Sequence, residues 1–293
     1  MQLPSLFDSA DLTATRARVR YQWMVWAQLA AGVLVPAVAV GSGLWFVDAQ
    51  GEPIDSPWPS SVVAGLFLLG FVLLVVEFFV QSGRVWVEAR SVAETLRSLA
   101  WKFAMKAPPY SWPDTQSEDM FTRDVRDIAQ RYLPIDTARK GIDPLTPQMR
   151  EQRLKSFEER CALYAKERIE TQRAWYQERA GQAHRRGRRV RMLVFFLQLV
   201  GIGVALGGVA DPSTFDLGVV ELVSVLAASV IAWGFLQDHA RTASEYDLAT
   251  YDLTAALNKV PNLTEDSFPN FVADTESAMA REHIDWVARR RAQ

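Results

Sequence analysis

The sequence predicts an all-α membrane protein with four transmembrane helices arranged as two hairpins, their helices extending into a cytoplasmic helical bundle. Three observations point there. Segments 23–47, 59–81, 192–210 and 217–237 are apolar and about as long as a bilayer-crossing helix requires. Of the 32 Lys and Arg and 34 Asp and Glu residues, only Glu77 and Glu221 fall inside those segments. The rest of the chain is densely charged and carries helical periodicity. A soluble single-core protein is therefore excluded, and so is disorder over most of the chain. With Cys161 alone, no intrachain disulfide can form.

The first apolar segment follows Arg16, Arg18 and Arg20. It is too long for the apolar core of a signal peptide, so a retained helix is expected. The loop 48–58 holds Asp48, Glu52 and Asp55 but no Lys or Arg, and 211–216 holds Asp211 and Asp216 with none. The opposite boundaries are basic: Arg84 and Arg90 follow the second segment, Arg185, Arg186, Arg188, Arg189 and Arg191 precede the third, and Arg241 follows the fourth. Because Lys and Arg near spans stay cytoplasmic, the expected location is the bacterial inner (plasma) membrane, multi-pass, with both termini inside. Trp23, Trp26 and Trp233 then mark inner edges, and Trp45, Phe46 and Trp58 outer ones.

After the second segment, Val85, Ala89, Val92, Leu96 and Leu99 recur at helical spacing, which predicts an unbroken helix ending before Pro108 and Pro109. Residues 117–133 read as a short amphipathic helix and 134–146 as a loop. Thr146 is a candidate N-cap with Pro147 at the first helical position, and nothing but Gly181 and Gly187 interrupts a helix from there into the third segment. The fourth segment is expected to continue unbroken to about Leu257. A last amphipathic helix follows Pro261, with Thr264 as candidate cap. Trp101, Trp175, Tyr176 and Trp286 are expected in the core of the helical bundle.

The order of hairpin, helices, hairpin, helices reads as an internal duplication. Arg16, Arg18, Gln28 and Leu29 correspond to Arg186, Arg188, Gln198 and Leu199, and Phe79 and Gln81 to Phe235 and Gln237. The expected units are 1–145, a hairpin with its cytoplasmic helices, and 146–293, a long helix, the second hairpin and the C-terminal helices.

The stretch EARSVAETLRSLAWKF at 88–103 after a two-span hairpin resembles the SLATT domains, the SMODS and SLOG-associating two-transmembrane effector domains. QRAWY at 172–176 and TESAMAREHIDW at 275–286 resemble another subfamily of the same group, which implies two units fused in one chain. The resemblance implies a pore-forming effector of a bacterial conflict (defence) system, triggered by a nucleotide-derived signal. The family has no established catalytic motif, so the resemblance carries over no active-site residue.

From the residues themselves, Glu77 stands out. It lies toward the inner end of its segment, at a depth similar to Gln28 and Gln198. One reading is a polar ring lining a pore; the other is an inter-helix hydrogen bond or a carboxylate reaching the interface. Glu221 reads as an interfacial residue. Gly203 and Gly207, and Ser224, Ala228 and Ala232, have the four-residue spacing of helix contacts in membranes. Arg185, Arg186, Arg188, Arg189 and Arg191 are candidates for an anionic lipid or nucleotide ligand, or else simply fix orientation. His184, His239 and His283 are scattered, which gives no metal site, and no phosphate-binding loop or hydrolase motif occurs. The expected function is an oligomeric membrane channel or pore-forming effector gated by its cytoplasmic helical domain. It is expected to be a homo-oligomer without cofactor or enzymatic activity, contacting membrane lipids and either a nucleotide-derived signal or a cytoplasmic sensor protein, and no nucleic acid. The alternative is a non-conducting membrane scaffold that binds a cytoplasmic partner.

Overall fold

The computed structural model describes residues 1–45, 58–132, 144–210 and 217–292. The expected loops 48–58, 134–146 and 211–216 lie largely outside these residues, as do the side chains of His283 and Trp286. The described residues are helical, with no strand among them. In order the helices are α1 (Ser5–Trp45), α2 (Trp58–Val80), α3 (Ser82–Ala104), α4 (Asp114–Tyr132), α5 (Pro147–Leu154), α6 (Phe157–Leu163), α7 (Thr171–Ala210), α8 (Leu217–Gln237), α9 (His239–Lys259) and α10 (Phe268–Ala292). A π-helical stretch, Tyr164–Glu170, joins α6 to α7.

Among the described residues three helical stretches are long and apolar enough to cross a membrane: Trp58–Ala104, Phe157–Ala210 and Gly218–Asn262. The protein is thus a multi-pass membrane protein. The first expected segment is helical up to Trp45, with Pro36 inside the helix, and its end lies outside the described residues.

The long helices are more divided than the sequence suggests. The path from α2 to α3 breaks at Gln81 and that from α8 to α9 at Asp238, each at a positive φ (47° and 38°). Each break is closed by a bond to the carbonyl four residues back: Gln81 N–H to Glu77 at 2.8 Å, and Asp238 N–H to Gly234 at 3.0 Å. That is a left-handed helix ending, here made by residues with a Cβ in place of glycine. The two breaks fall at nearly corresponding places in the two hairpins. The helix expected to run without interruption from Pro147 is also split. Ser156 caps α6 with a capping box, its Oγ accepting from Glu159 N–H while the Glu159 carboxylate accepts from Ser156 N–H.

Thr146 does cap α5, accepting from Met149 N–H at 3.3 Å, with Pro147 following. At α10 the helix starts at Phe268, so Ser267 stands directly before it. Thr264 makes the preceding turn, accepting Phe268 N–H at 3.0 Å through its carbonyl.

Two compact units result, and neither follows the halves of the chain. One comprises Met1–Val19, Ser82–Ala180 and Ser244–Gln293; the other comprises Arg20–Gln81 and Gly181–Ala243. Among the described residues the first has two apolar cores. In one, Leu6 and Ala10 of α1 pack with Val92, Leu96 and Phe103 of α3 and Phe121 and Val125 of α4. In the other, Trp101 and Met105 pack with Tyr164, Ile169, Leu253, Phe268 and Val272. Trp101 and Tyr176 are buried as expected. Trp175 is exposed and stands edge-on to Tyr176 and Tyr246 under the Arg179 guanidinium.

Candidate functional site

The second unit contains the apolar helices. No described side chain of α2 is buried, and Phe67, Leu68, Phe71, Leu74, Phe78 and Phe79 are exposed. A helix apolar on every side and only partly covered by its own chain turns its remaining faces to lipid or other protein. Its single charge, Glu77, is half-buried, as is Gln28 of α1, while Gln198 of α7 is exposed. Glu221 of α8 is exposed.

Glycines set the approach of α7 to α8 and α9. A Cβ on Gly234 would lie 3.1 Å from Val190 Cγ1, one on Gly187 3.3 Å from His239 Cβ, and one on Gly201 3.6 Å from Val223 Cγ1. Gly203 and Gly207, by contrast, have nothing within 4 Å of that position, and Ser224, Ala228 and Ala232 are exposed. The small residues that spacing singled out are therefore not the ones this contact uses. Trp26 of α1 and Trp233 of α8 meet with ring centroids 4.2 Å apart, where both helices were expected to reach an inner membrane edge.

Arg185, Arg186, Arg188, Arg189 and Arg191 all lie on α7 and all are exposed. Beside them His239 opens α9, just past the apolar run of α8. Burial, and then the Arg186 charge, hold its imidazole below the ordinary range, against the opposing pull of Asp238.

The first unit holds arginines of a different kind. Arg153, Arg160 and Arg168 are buried at intervals of about two turns along the broken helix. Arg153 donates to Phe103 O (2.7 Å), Trp112 O (2.9 Å), Ser117 Oγ (3.0 Å) and Asp114 Oδ1 (2.7 Å), and its guanidinium covers the Phe103 ring. Arg160 donates to Met105 O at 3.0 Å. Both thus reach the carboxyl end of α3, where carbonyls carry partial negative charge. There Lys106 takes a φ of 57°, while Lys106 N–H reaches Phe103 O and Ala107 N–H reaches Lys102 O. This is a Schellman ending with lysine at the position glycine usually occupies. Arg168 pairs with Glu276 of α10, which also accepts from Tyr164 Oη at 3.1 Å. These residues were not singled out from sequence. The signal was present in their spacing, since 153, 160 and 168 fall on the helix face that also carries the buried Met149 and Tyr164.

Residues 4–161 match the family described as SMODS and SLOG-associating 2TM effector domain 3, and residues 164–286 match domain 1 of the same series. The chain belongs to the SLATT family. It carries two SLATT domains, as two fused units would, and is a membrane effector of the kind found in conflict systems. Comparison with curated proteins and with solved structures returns no match.

The two SLATT domains pack against each other within each compact unit. Trp101 and Phe157 of the first stand edge-on to Tyr164 (5.7 Å) and Phe268 (5.7 Å) of the second. Trp26 of the first meets Trp233 of the second. Both compact units draw on both SLATT domains.

Proposed function

We propose that the chain is an oligomeric membrane channel or pore-forming effector, gated by its water-facing helices. The observation that carries this reading is Glu77, a half-buried carboxylate on a helix none of whose described side chains is fully buried by its own chain. A charge held among lipid tails costs about 2.5–3.5 kcal/mol on insertion scales, so intramembrane carboxylates face a bundle interior or water. Copies of the chain around a common axis would give α2 an apolar neighbour and turn Glu77, with Gln28 and Gln198, toward a conducting path. Each matched domain is described as two-transmembrane, which supports four spans per chain, the α1 segment being the fourth. The basic boundaries support a bacterial inner-membrane location with both termini and the helical bundle cytoplasmic. α1 and α7 contribute residues to both compact units without a helix break, a covalent route from a cytoplasmic event to the membrane helices. The trigger is a nucleotide-derived signal or a sensor protein, and no chemistry is assigned to the chain.

Bilayer recording of the purified protein tests this. Glu77→Gln keeps size and hydrogen bonding and removes the charge, so the cation-to-anion permeability ratio should fall with oligomer size unchanged. Wild-type conductance and selectivity in that variant would take Glu77 out of the path. A wild-type protein that conducts nothing when triggered would favour the scaffold. Cysteines at Gln50 and Ser213 should react with an impermeant reagent from outside and one at Thr137 should not.

A further inference from the structure

Arg185, Arg186, Arg188, Arg189 and Arg191 divide by face. Arg185, Arg188 and Arg189 stand on the side of α7 that, one to two turns on, carries Met192 and Phe196, both largely exposed. The opposite side holds the buried Ala183 and Gly187, with Val190 against Gly234. Arg186 and Arg191 border that packed side: the Arg186 charge acts on His239, and Arg191 Nη1 lies 3.7 Å from the position of a Gly187 Cβ. Arg185 folds back along the helix, its Nη1 3.4 Å from the position of a Gly181 Cβ, which directs the charge away from the apolar run. No side chain of the five makes an ion pair or hydrogen bond with a described residue, whereas Arg90, Arg97, Arg153 and Arg168 each have a carboxylate partner.

We propose that Arg185, Arg188 and Arg189 form a binding surface for the phosphates of anionic phospholipids, and that Arg186 and Arg191 belong instead to the α7–α9 contact. Three unpaired cations directly above exposed apolar side chains match an anionic headgroup above its acyl chains, in both charge and polarity order. Orientation by positive charge requires only the number of arginines on one side, not their concentration on the uncovered face. The proposal rests on α7 crossing the membrane and is independent of conduction.

The test uses the full-length protein in phosphatidylcholine bilayers with trace spin-labelled phosphatidylglycerol or phosphatidylcholine. The wild type should immobilise the anionic lipid in preference. R185Q/R188Q/R189Q should lose that preference by up to about fivefold per arginine at low salt. R186Q/R191Q should retain it, and so should R185K/R188K/R189K, which separates lost charge from lost fold. No preference in the wild type, an undiminished one in the triple glutamine variant, or an equal loss in R186Q/R191Q would overturn the proposal. So would a triple variant that keeps its lipid preference but no longer binds a fluorescent nucleoside triphosphate, which would assign the arginines to a soluble nucleotide. Current recorded from the same bilayers reports on the channel separately, so either idea can fail while the other stands.

Discussion

Arg168 and Glu276, 108 residues apart, meet through two parallel hydrogen bonds of 2.8 Å, Nε to Oε1 and Nη2 to Oε2, with both side chains withdrawn from solvent. The bidentate geometry offsets the desolvation of two charges. Tyr164 supplies another donor to Oε1, and its phenol is held well above the ordinary range by burial and then by the Glu276 charge, so it stays protonated.

Removing one partner should strand the other. Arg168→Met or Glu276→Leu alone should destabilise the protein by about 3–5 kcal/mol, while the double variant should recover most of that loss. Denaturant unfolding of the detergent-solubilised protein measures all three. An additive loss in the double variant would mean the pair is not coupled.

The glycine contacts make a graded prediction. Gly234→Ala should cost about 1–3 kcal/mol, because Val190 Cγ1 stands 3.1 Å from the new Cβ, and a further Val190→Ala should restore stability. Gly203→Ala and Gly207→Ala meet nothing within 4 Å and should leave the protomer as stable or slightly more so. Thermal unfolding midpoints check the set.

The breaks at Gln81 and Asp238 can be relieved. A left-handed residue with a Cβ costs about 1–2 kcal/mol, and glycine gives part of that back in unfolded-state entropy. Gln81→Gly and Asp238→Gly should therefore be neutral or stabilising by up to about 1 kcal/mol, and Gln81→Val clearly destabilising, as read by the unfolding midpoint.

His239 makes stability depend on pH. Its folded-state pKa lies below the unfolded value of about 6.5. Above that value both states are neutral and the group contributes nothing. Below it the unfolded chain binds a proton that the folded protein resists, through burial and the Arg186 charge, with Asp238 opposing. Stability should fall as pH drops from about 7 toward 5. His239→Gln should flatten that slope, and an unchanged slope would assign it to other groups.

What the sequence determined by itself is whatever composition or local chemistry decides. The apolar runs and their near absence of charge identify the membrane helices because hydrocarbon tolerates little else. Thr146 and Pro147 mark a helix start because a cap and its donor lie three residues apart. The family, too, was legible in short helical stretches at 88–103 and 275–286. Only the tertiary structure decided which charges are buried. Arg153 and Arg168 fall by spacing on the face of Met149 and Tyr164, but their burial as charges depends on Phe103, Trp112 and Glu276, 41 to 108 residues away, being brought to them. It also decided that Gly187, Gly201 and Gly234, rather than the Gly203 and Gly207 pair, lie at the α7 contact, because spacing gives periodicity but not the direction of a neighbour. The left-handed turns at Gln81 and Asp238 left no mark in composition, since neither residue is glycine and each turn is closed by a backbone bond to the carbonyl four residues back.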